Sequence, residues 1–137
     1  MSRSNESAKI QPKVSLILAS GSESRKLMLE EAGIIFDVIV SPTDEEAIKD
    51  KISNLPFSQQ VIHLAKAKAE SVSKQNPESI VIGGDQMCVL DDTLLHKPGS
   101  KDNAIKSLKL LSNQKHFQHS GCLLYTSDAA DDTPLCR

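Results

Sequence analysis

The stretch Ile80-Val81-Ile82-Gly83-Gly84-Asp85-Gln86 decides how this chain is interpreted. Three apolar residues that favour β-structure run directly into two glycines and a carboxylate. A short apolar run bounded by turn residues predicts a buried strand. The glycine pair predicts the end of that strand, where the backbone bends or admits a ligand closely. Asp85 would then lie at the carboxyl end of a core strand, where open α/β sheets bind ligands. An aspartate that only begins a turn is the alternative.

A second strand followed by a helix is predicted near the start of the chain. Residues 14–19 are mostly apolar and predict a strand, and residues 25–33 predict a helix. Either Ser20 or Ser22 can cap the start of this helix, and Gly33 suits the position that follows its end. The sequence therefore predicts a strand that turns through Ser-Gly-Ser directly into a helix.

The first turn of this helix carries two cations, Arg25 and Lys26. The helix dipole favours acids at that end, while the unpaired backbone N–H groups there favour an anion. An anion held between the N–H groups and the two cations would remove the conflict, and this is the sharper hypothesis. Two solvated surface cations are the alternative.

The remaining periodic segments extend the alternation of strands and helices. They are a strand at 34–40, a helix at 57–74, a hairpin formed by 87–90 and 93–95, a helix that begins after Ser100, and a strand that begins within 115–120. Lys68 falls on the apolar stripe of helix 57–74, where it either extends to solvent or reaches a bound anion. The acidic residues after Thr43, including Glu45, are either a solvated helix start or oxygen donors for a divalent metal.

Composition limits the classes of function. The chain has 137 residues, enough for one domain, a net charge of −2 and only 3% aromatic residues. That charge gives no electrostatic footprint for nucleic acid, and no apolar run approaches the length of a membrane span. The three cysteines match neither a metal-binding spacing nor a disulfide framework. The expected protein is cytoplasmic, with neither a nucleic-acid nor a membrane partner.

The two ends of the chain differ from its middle. Residues 1–12 are predicted to be a disordered leader, and residues 13–121 the N-terminal part of a single domain. Residues 122–137 closely resemble the translation of a transposon-type sequencing adapter joined to a coding fragment. On that interpretation the tail is non-native and is left out of the fold. A native flexible tail is the alternative.

Taken together, the motifs resemble those of the Maf family of nucleoside triphosphate pyrophosphatases. Residues 18–26 resemble its opening signature, Leu-Ala-Ser-x-Ser-x-x-Arg-Arg, with Lys26 in place of the second arginine. The later motifs follow in the family's order: Asp44-Glu45, Lys68-Ala69, Gly84-Asp85-Gln86 and Lys97-Pro98. The resemblance implies an α/β fold, an elongated mixed sheet flanked by helices and related to inosine triphosphate pyrophosphatases. It also implies hydrolysis of a nucleoside triphosphate to the monophosphate and pyrophosphate.

The resemblance also implies roles for individual residues. Asp85 matches the proton acceptor, Glu45 a catalytic or metal-binding acid, and Lys68 a basic residue that faces the triphosphate. Glu45 and Asp85 would hold a divalent cation, Mg²⁺ or Mn²⁺. The implied substrate-binding residues are Ser20, Ser22, Arg25, Lys26, Gln86 and Lys97. Lysine at position 26 lacks the bidentate fork of arginine.

The resemblance extends to the substrate and the assembly. Gln86 and the five residues after it resemble the branch of the family that acts on 7-methyl-GTP, and a homodimer is implied for the full-length protein. Two alternatives stand beside the enzyme. One is a protein that binds nucleotides or inhibits cell division without hydrolysis. The other is an inactive fragment, because the family's C-terminal third is not in the chain.

Overall fold

The computed structural model describes residues 9–127, and a five-stranded mixed sheet lies at their centre. In chain order the elements are β1 (Leu16–Leu18), α1 (Glu23–Glu31), β2 (Asp37–Val38), α2 (Glu45–Ile52), α3 (Phe57–Gln75), β3 (Ile80–Leu90), β4 (Thr93–Leu95), α4 (Lys101–Leu111) and β5 (Phe117–Tyr125). The predicted α/β class, a mixed sheet flanked by helices, is confirmed.

Strand β3 is the axis of the sheet and is paired differently along its two edges. Along one edge β5 runs antiparallel to it from Val81 to Val89. Along the other edge, parallel β1 pairs with residues 80–82 and antiparallel β4 with residues 88–90. No described strand pairs with residues 83–87 on that second edge. The sheet therefore has a gap between the end of β1 and the hairpin formed by β3 and β4.

The prediction that Gly83-Gly84 ends the strand is wrong, because β3 continues through both glycines to Leu90. Asp85 consequently lies in the middle of a strand, and the carboxyl end beside it belongs to β1. The glycine at position 83 serves packing rather than turning. A Cβ atom there would clash with the carbonyl oxygen of Ala65 and lie 2.9 Å from the Cβ of Ala69, both on α3.

Helix α3 forms the core by packing on β3 and β5. Its apolar stripe buries Val61, Leu64, Ala65, Ala69 and Val72. A second glycine, Gly121 on β5, also lies against this helix, since its Cβ would be 2.8 Å from the carbonyl carbon of Val61. Because these two glycines have no side chains, the helix backbone can approach the strands closely.

Several local predictions are confirmed with small changes in their bounds. Helix α1 begins at Glu23, and its N-cap is Ser22 rather than Ser20, with the Ser22 hydroxyl accepting from the backbone N–H of Arg25. Gly33 follows the helix with a φ of +76°. The turn of the β3–β4 hairpin is made by Asp91 and Asp92, whose φ values of +50° and +51° match a two-residue type I′ turn.

The structure also decides the predictions for residues 34–40 and for the acidic segment after Thr43. The strand predicted at 34–40 is reduced to Asp37–Val38, which is exposed. The acidic segment after Thr43 begins helix α2, whose N-cap is Asp44: the Asp44 carboxylate accepts from the backbone N–H of Ala47 at 3.2 Å. Glu45 is therefore the first residue of a helix.

The predicted termini fall partly outside the described residues, which exclude 1–8 and 128–137. Of the predicted leader, Ile10 forms a parallel bridge with Ile34. Of the predicted tail, residues 122–125 belong to β5, where Leu123 and Tyr125 are buried and the Tyr125 hydroxyl donates to Glu70 at 3.0 Å. The adapter origin of the tail stays a prediction. Among residues 9–127, no helix is long and apolar enough to cross a membrane.

Candidate active site

A cavity of about 1010 Å³ opens where β3 lacks a strand partner. Its lining includes the turn after β1, the start of α2, and the segment of β3 from Asp85 to Cys88. The β4 strand and the residues after it, including His96 and Lys97, line its far side. The gap in the sheet thus brings together segments that are distant in sequence.

The Lys68 side chain connects two carboxylates at this cavity. Its Nζ atom donates to Oδ1 of Asp85 at 3.0 Å and lies 3.4 Å from Oε2 of Glu45. The side chains of Lys68 and Asp85 are 13% and 12% exposed, whereas that of Glu45 is 41% exposed. Lys68 therefore reaches from the helix–sheet interface into the cavity rather than extending to solvent.

The local sequence explains why this pair forms. Lys68 lies on α3 between Ala65 and Ala69, the two residues that approach Gly83 most closely. Asp85 is two residues after Gly83 on the same strand, so its side chain points to the same face of the sheet. The close approach of helix and strand at Gly83 brings the ammonium and the carboxylate within direct contact.

The turn after β1 brings Arg25 onto β3. The hydroxyl of Ser20 accepts from the backbone N–H of Ser22 and from Nη1 of Arg25, both at 3.1 Å. A Cβ atom on Gly84 would lie 3.0 Å from Nε of Arg25, so the guanidinium lies directly over this glycine. Among residues 9–127, Arg25 forms no ion pair with a carboxylate, and its charge faces the cavity.

Of the other predicted binding residues, all but one line the cavity. Ser22 lines the cavity while capping α1, and Gln86 and the exposed Lys97 also line it. Lys26 does not belong to the lining residues. All the predicted site residues except Lys26 thus meet at one cavity.

Two features of the site have no clear signal in the sequence. Gln118 on β5 accepts a hydrogen bond from Nε2 of Gln86 at 2.6 Å and also lines the cavity. The hydroxyls of Ser41, Thr43 and Ser71 form a cluster beside α2 and α3, each oxygen within 3.1 Å of the other two. Serine, threonine and glutamine are common on surfaces, and only the register of β5 or the fold of the loop brings these side chains together.

Comparison with known proteins identifies the family. Residues 15–136 match the model of the family described as "Maf-like protein". The chain belongs to the Maf family. This confirms the resemblance inferred from the motifs, and it covers the turn after β1 as well as the Glu45, Lys68 and Asp85 positions.

Individual relatives of this Maf-family chain carry two names. It is 40% identical over 124 residues to a nucleoside triphosphate pyrophosphatase of Ruegeria sp. (strain TM1040), covering 89% of this chain and 60% of the relative. It is 38% identical over 116 residues to a 7-methyl-GTP pyrophosphatase of Rhizobium etli, covering 83% and 58%. A nucleoside triphosphate pyrophosphatase of Rhodospirillum rubrum is 41% identical over 103 residues, covering 74% and 51%. The chain thus spans between half and three-fifths of the length of these relatives.

The carboxylates of this Maf-family chain determine how a metal ion would be held. Among the described residues, no group of three or more His, Cys, Asp and Glu side chains is arranged to hold a metal. Glu45 and Asp85 offer two carboxylates that approach the same ammonium group. Mg²⁺ is commonly held by one or two carboxylates together with substrate phosphates and water, so this pair of hard oxygen donors fits such an ion.

Proposed function

We propose that the protein is a nucleoside triphosphate pyrophosphatase, which cleaves between the α- and β-phosphoryl groups and releases a nucleoside monophosphate and pyrophosphate. The observation that carries this proposal is the ammonium of Lys68 between the carboxylates of Glu45 and Asp85 at the cavity. The names of the relatives in Ruegeria and Rhizobium support the same reaction.

Asp85 is the proposed proton acceptor for the attacking water. Lys68 donates to its Oδ1 atom at 3.0 Å, which helps to orient the carboxylate and leaves Oδ2 to accept a proton. Because Asp85 sits in the middle of a paired strand, its backbone is held rigidly. Proton transfer requires the base within hydrogen-bond reach of the water, so this rigidity favours catalysis.

The proposed role of the cations is to stabilise negative charge on the phosphoryl groups. Arg25, Lys68 and Lys97 approach the cavity from α1, α3 and the segment after β4 respectively. Charge that develops on the departing pyrophosphate is stabilised by cations fixed in advance around it. The hydroxyls of Ser20 and Ser22 would bind phosphate oxygens at the start of α1. Lys26, which lies outside the lining, would add positive charge without direct contact.

A divalent cation, Mg²⁺ or Mn²⁺, is the proposed cofactor, held by Glu45 and Asp85. When bound it would neutralise charge on the phosphate oxygens of the substrate. In this structure the single positive charge of Lys68 balances one of the two negative charges of these carboxylates, which leaves a net negative charge for a cation. The Lys68 ammonium has three N–H donors, and those not used by the carboxylates would contact a phosphate oxygen.

Gln86 is the proposed residue that reads the base, with 7-methyl-GTP among the substrates. Its amide lies at the cavity and donates to Gln118, which leaves its own oxygen available to accept from a ligand. The name of the Rhizobium relative supports this substrate. For the longer protein we further propose a cytoplasmic homodimer without a nucleic-acid partner, as the family resemblance and the net charge of −2 favour.

The proposal is tested by measuring pyrophosphate released from 7-methyl-GTP, GTP, UTP and dTTP, with Mg²⁺ or Mn²⁺ present. Asp85→Asn removes the proton acceptor while keeping the shape of the side chain, so turnover should fall at least about 100-fold. Asp92→Asn is the matched control, since Asp92 is exposed in the hairpin turn and asparagine tolerates its positive φ. Turnover of this control should match the unsubstituted chain.

Three results would contradict the proposal in different ways. Near-normal turnover by Asp85→Asn would remove Asp85 from the role of base. Release of orthophosphate instead of pyrophosphate would place the cleaved bond elsewhere. Nucleotide binding measured by calorimetry, without release of either product, would favour the non-hydrolytic binding protein.

A further inference from the structure

A cluster of three hydroxyls, from Ser41, Thr43 and Ser71, joins the loop before α2 to the C-terminal half of α3. The Oγ atoms of Ser41 and Ser71 are 2.7 Å apart, and Oγ1 of Thr43 lies 2.5 Å from Ser41 and 3.1 Å from Ser71. The Ser41 hydroxyl also accepts from the backbone N–H of Thr43 at 3.1 Å. All three residues are half-buried.

Counting protons shows that Ser71 is the acceptor at the centre of this cluster. The hydroxyl of Ser71 donates to the carbonyl oxygen of Lys68 at 2.9 Å, which uses its only proton. The hydroxyls of Ser41 and Thr43 then have two protons for the three contacts within the cluster, so Ser71 accepts at least one of them. Removing the Ser71 oxygen would therefore remove at least one hydrogen bond between the loop and α3.

The hydroxyl cluster links the segments that carry Lys68 and Glu45, the two residues that approach each other at the cavity. Ser71 lies one turn after Lys68 and bonds its carbonyl, while Thr43 is two residues before Glu45. Apolar packing of α2 on the core involves Ile48 and Ile52, which lie one and two turns beyond Glu45. The cluster thus anchors the end of α2 that carries Glu45.

We propose that this hydroxyl cluster is a positioning device that holds Glu45 near Lys68. The inference rests on the proposed function only in giving Glu45 and Lys68 a part in catalysis. Asp85 needs no such device, since β1, β4 and β5 hold the strand that carries it. Glu45, 41% exposed at a helix start and 3.4 Å from Lys68, depends on the loop before it. Ser71 itself does not line the cavity, so it acts through Glu45 rather than on substrate.

The test compares how often Lys68 contacts Glu45 and how often it contacts Asp85 in the same protein sample. A carbodiimide joins a carboxylate to a neighbouring amine without a spacer, and mass spectrometry quantifies the Lys68–Glu45 and Lys68–Asp85 products. Ser71→Ala should lower the ratio of the first product to the second about fivefold, the effect of losing one hydrogen bond. Ser71→Thr keeps the hydroxyl and should restore the ratio. Ser73→Ala makes the same change two residues along α3, outside the cluster, and should leave the ratio unchanged.

A second variant and a second measurement separate this inference from the proposed function. Thr43→Val keeps the shape of the side chain without its hydroxyl and should lower the crosslink ratio in the same direction. Where pyrophosphate release is measured, Ser71→Ala should lower kcat with little change in KM, and Ser71→Thr should recover it.

An unchanged crosslink ratio in both Ser71→Ala and Thr43→Val would overturn the positioning role, whatever the activity. A lowered ratio in a chain that releases no pyrophosphate would support the positioning of Glu45 and count against the proposed reaction instead. The two failures are therefore distinguishable.

Discussion

Helices α3 and α4 both carry an amphipathic pattern, yet only α3 is buried. Helix α3 buries seven of its residues against β3 and β5, whereas α4 buries none and exposes Ile105, Leu108 and Leu110. The difference lies in the surface that each helix meets. Beneath α3 the sheet presents Gly83 and Gly121, which leave room for the helix backbone. An apolar stripe predicts a helix, but the partner surface decides whether the stripe is covered.

The largest expected effect is on the free energy of unfolding, when one leucine in each of these two helices is replaced by alanine. Leu64 on α3 is fully buried, and Leu64→Ala should lower the free energy of unfolding by about 3 kcal/mol through lost contacts and the cavity left behind. Leu108 on α4 is 67% exposed, and Leu108→Ala should change it by less than about 0.5 kcal/mol. Urea titration followed by circular dichroism measures both. Equal losses would mean that α4 is also packed in solution.

A somewhat smaller effect is expected from the neighbouring glycines of β3. In Gly83→Ala the new methyl group meets the backbone of α3, so the free energy of unfolding should fall by about 2 kcal/mol. In Gly84→Ala it meets only the flexible side chain of Arg25, and the loss should stay below about 1 kcal/mol. Urea titration of both variants distinguishes the two glycines. A larger loss in Gly84→Ala would contradict the packing role assigned to Gly83.

The smallest expected effect is an increase in the free energy of unfolding, and it concerns a buried serine of α3. The hydroxyl of Ser73 is fully buried without a hydrogen-bond partner among the described residues. Ser73→Ala removes that unpaired group and favours the helix, so the free energy of unfolding should rise by up to about 1 kcal/mol. Thermal unfolding measures the change. A clear decrease in stability would show that the hydroxyl has a bonding partner.

The sequence predicted the class of fold and most of the elements because periodic apolar stripes and turn residues are local signals. It located helix α3, the hairpin at Asp91-Asp92 and the turn after β1 within a few residues. It failed at Gly83-Gly84, where glycine permits either a turn or a close approach of another backbone. Only the packing partner, the carbonyl of Ala65, distinguishes these possibilities, and that partner is distant in the chain.

The site was predicted in the same uneven way. Motif resemblance pointed to Asp85, Glu45 and Lys68, and the structure brings these three side chains into contact. The role of each residue stays a prediction. The link between Gln86 and Gln118 depends on the register of β5, which follows from the pairing of whole strands and leaves no mark in a short stretch of sequence.

The gap along β3 has a consequence for how ligand contacts are mapped. The N–H of Ile80 donates to Ser15 and the C=O of Ile82 accepts from Ala19, the residues that flank β1. Alternate residues of a strand direct these groups to the same edge. Gly84 and Gln86 accordingly direct their own N–H and C=O groups into the gap, where they are available to hydrogen-bond a ligand. Substitution of a side chain leaves such main-chain donors and acceptors in place. Alanine scanning of the cavity would therefore miss the main-chain contribution to ligand affinity. Replacing single backbone amides by esters would measure that contribution.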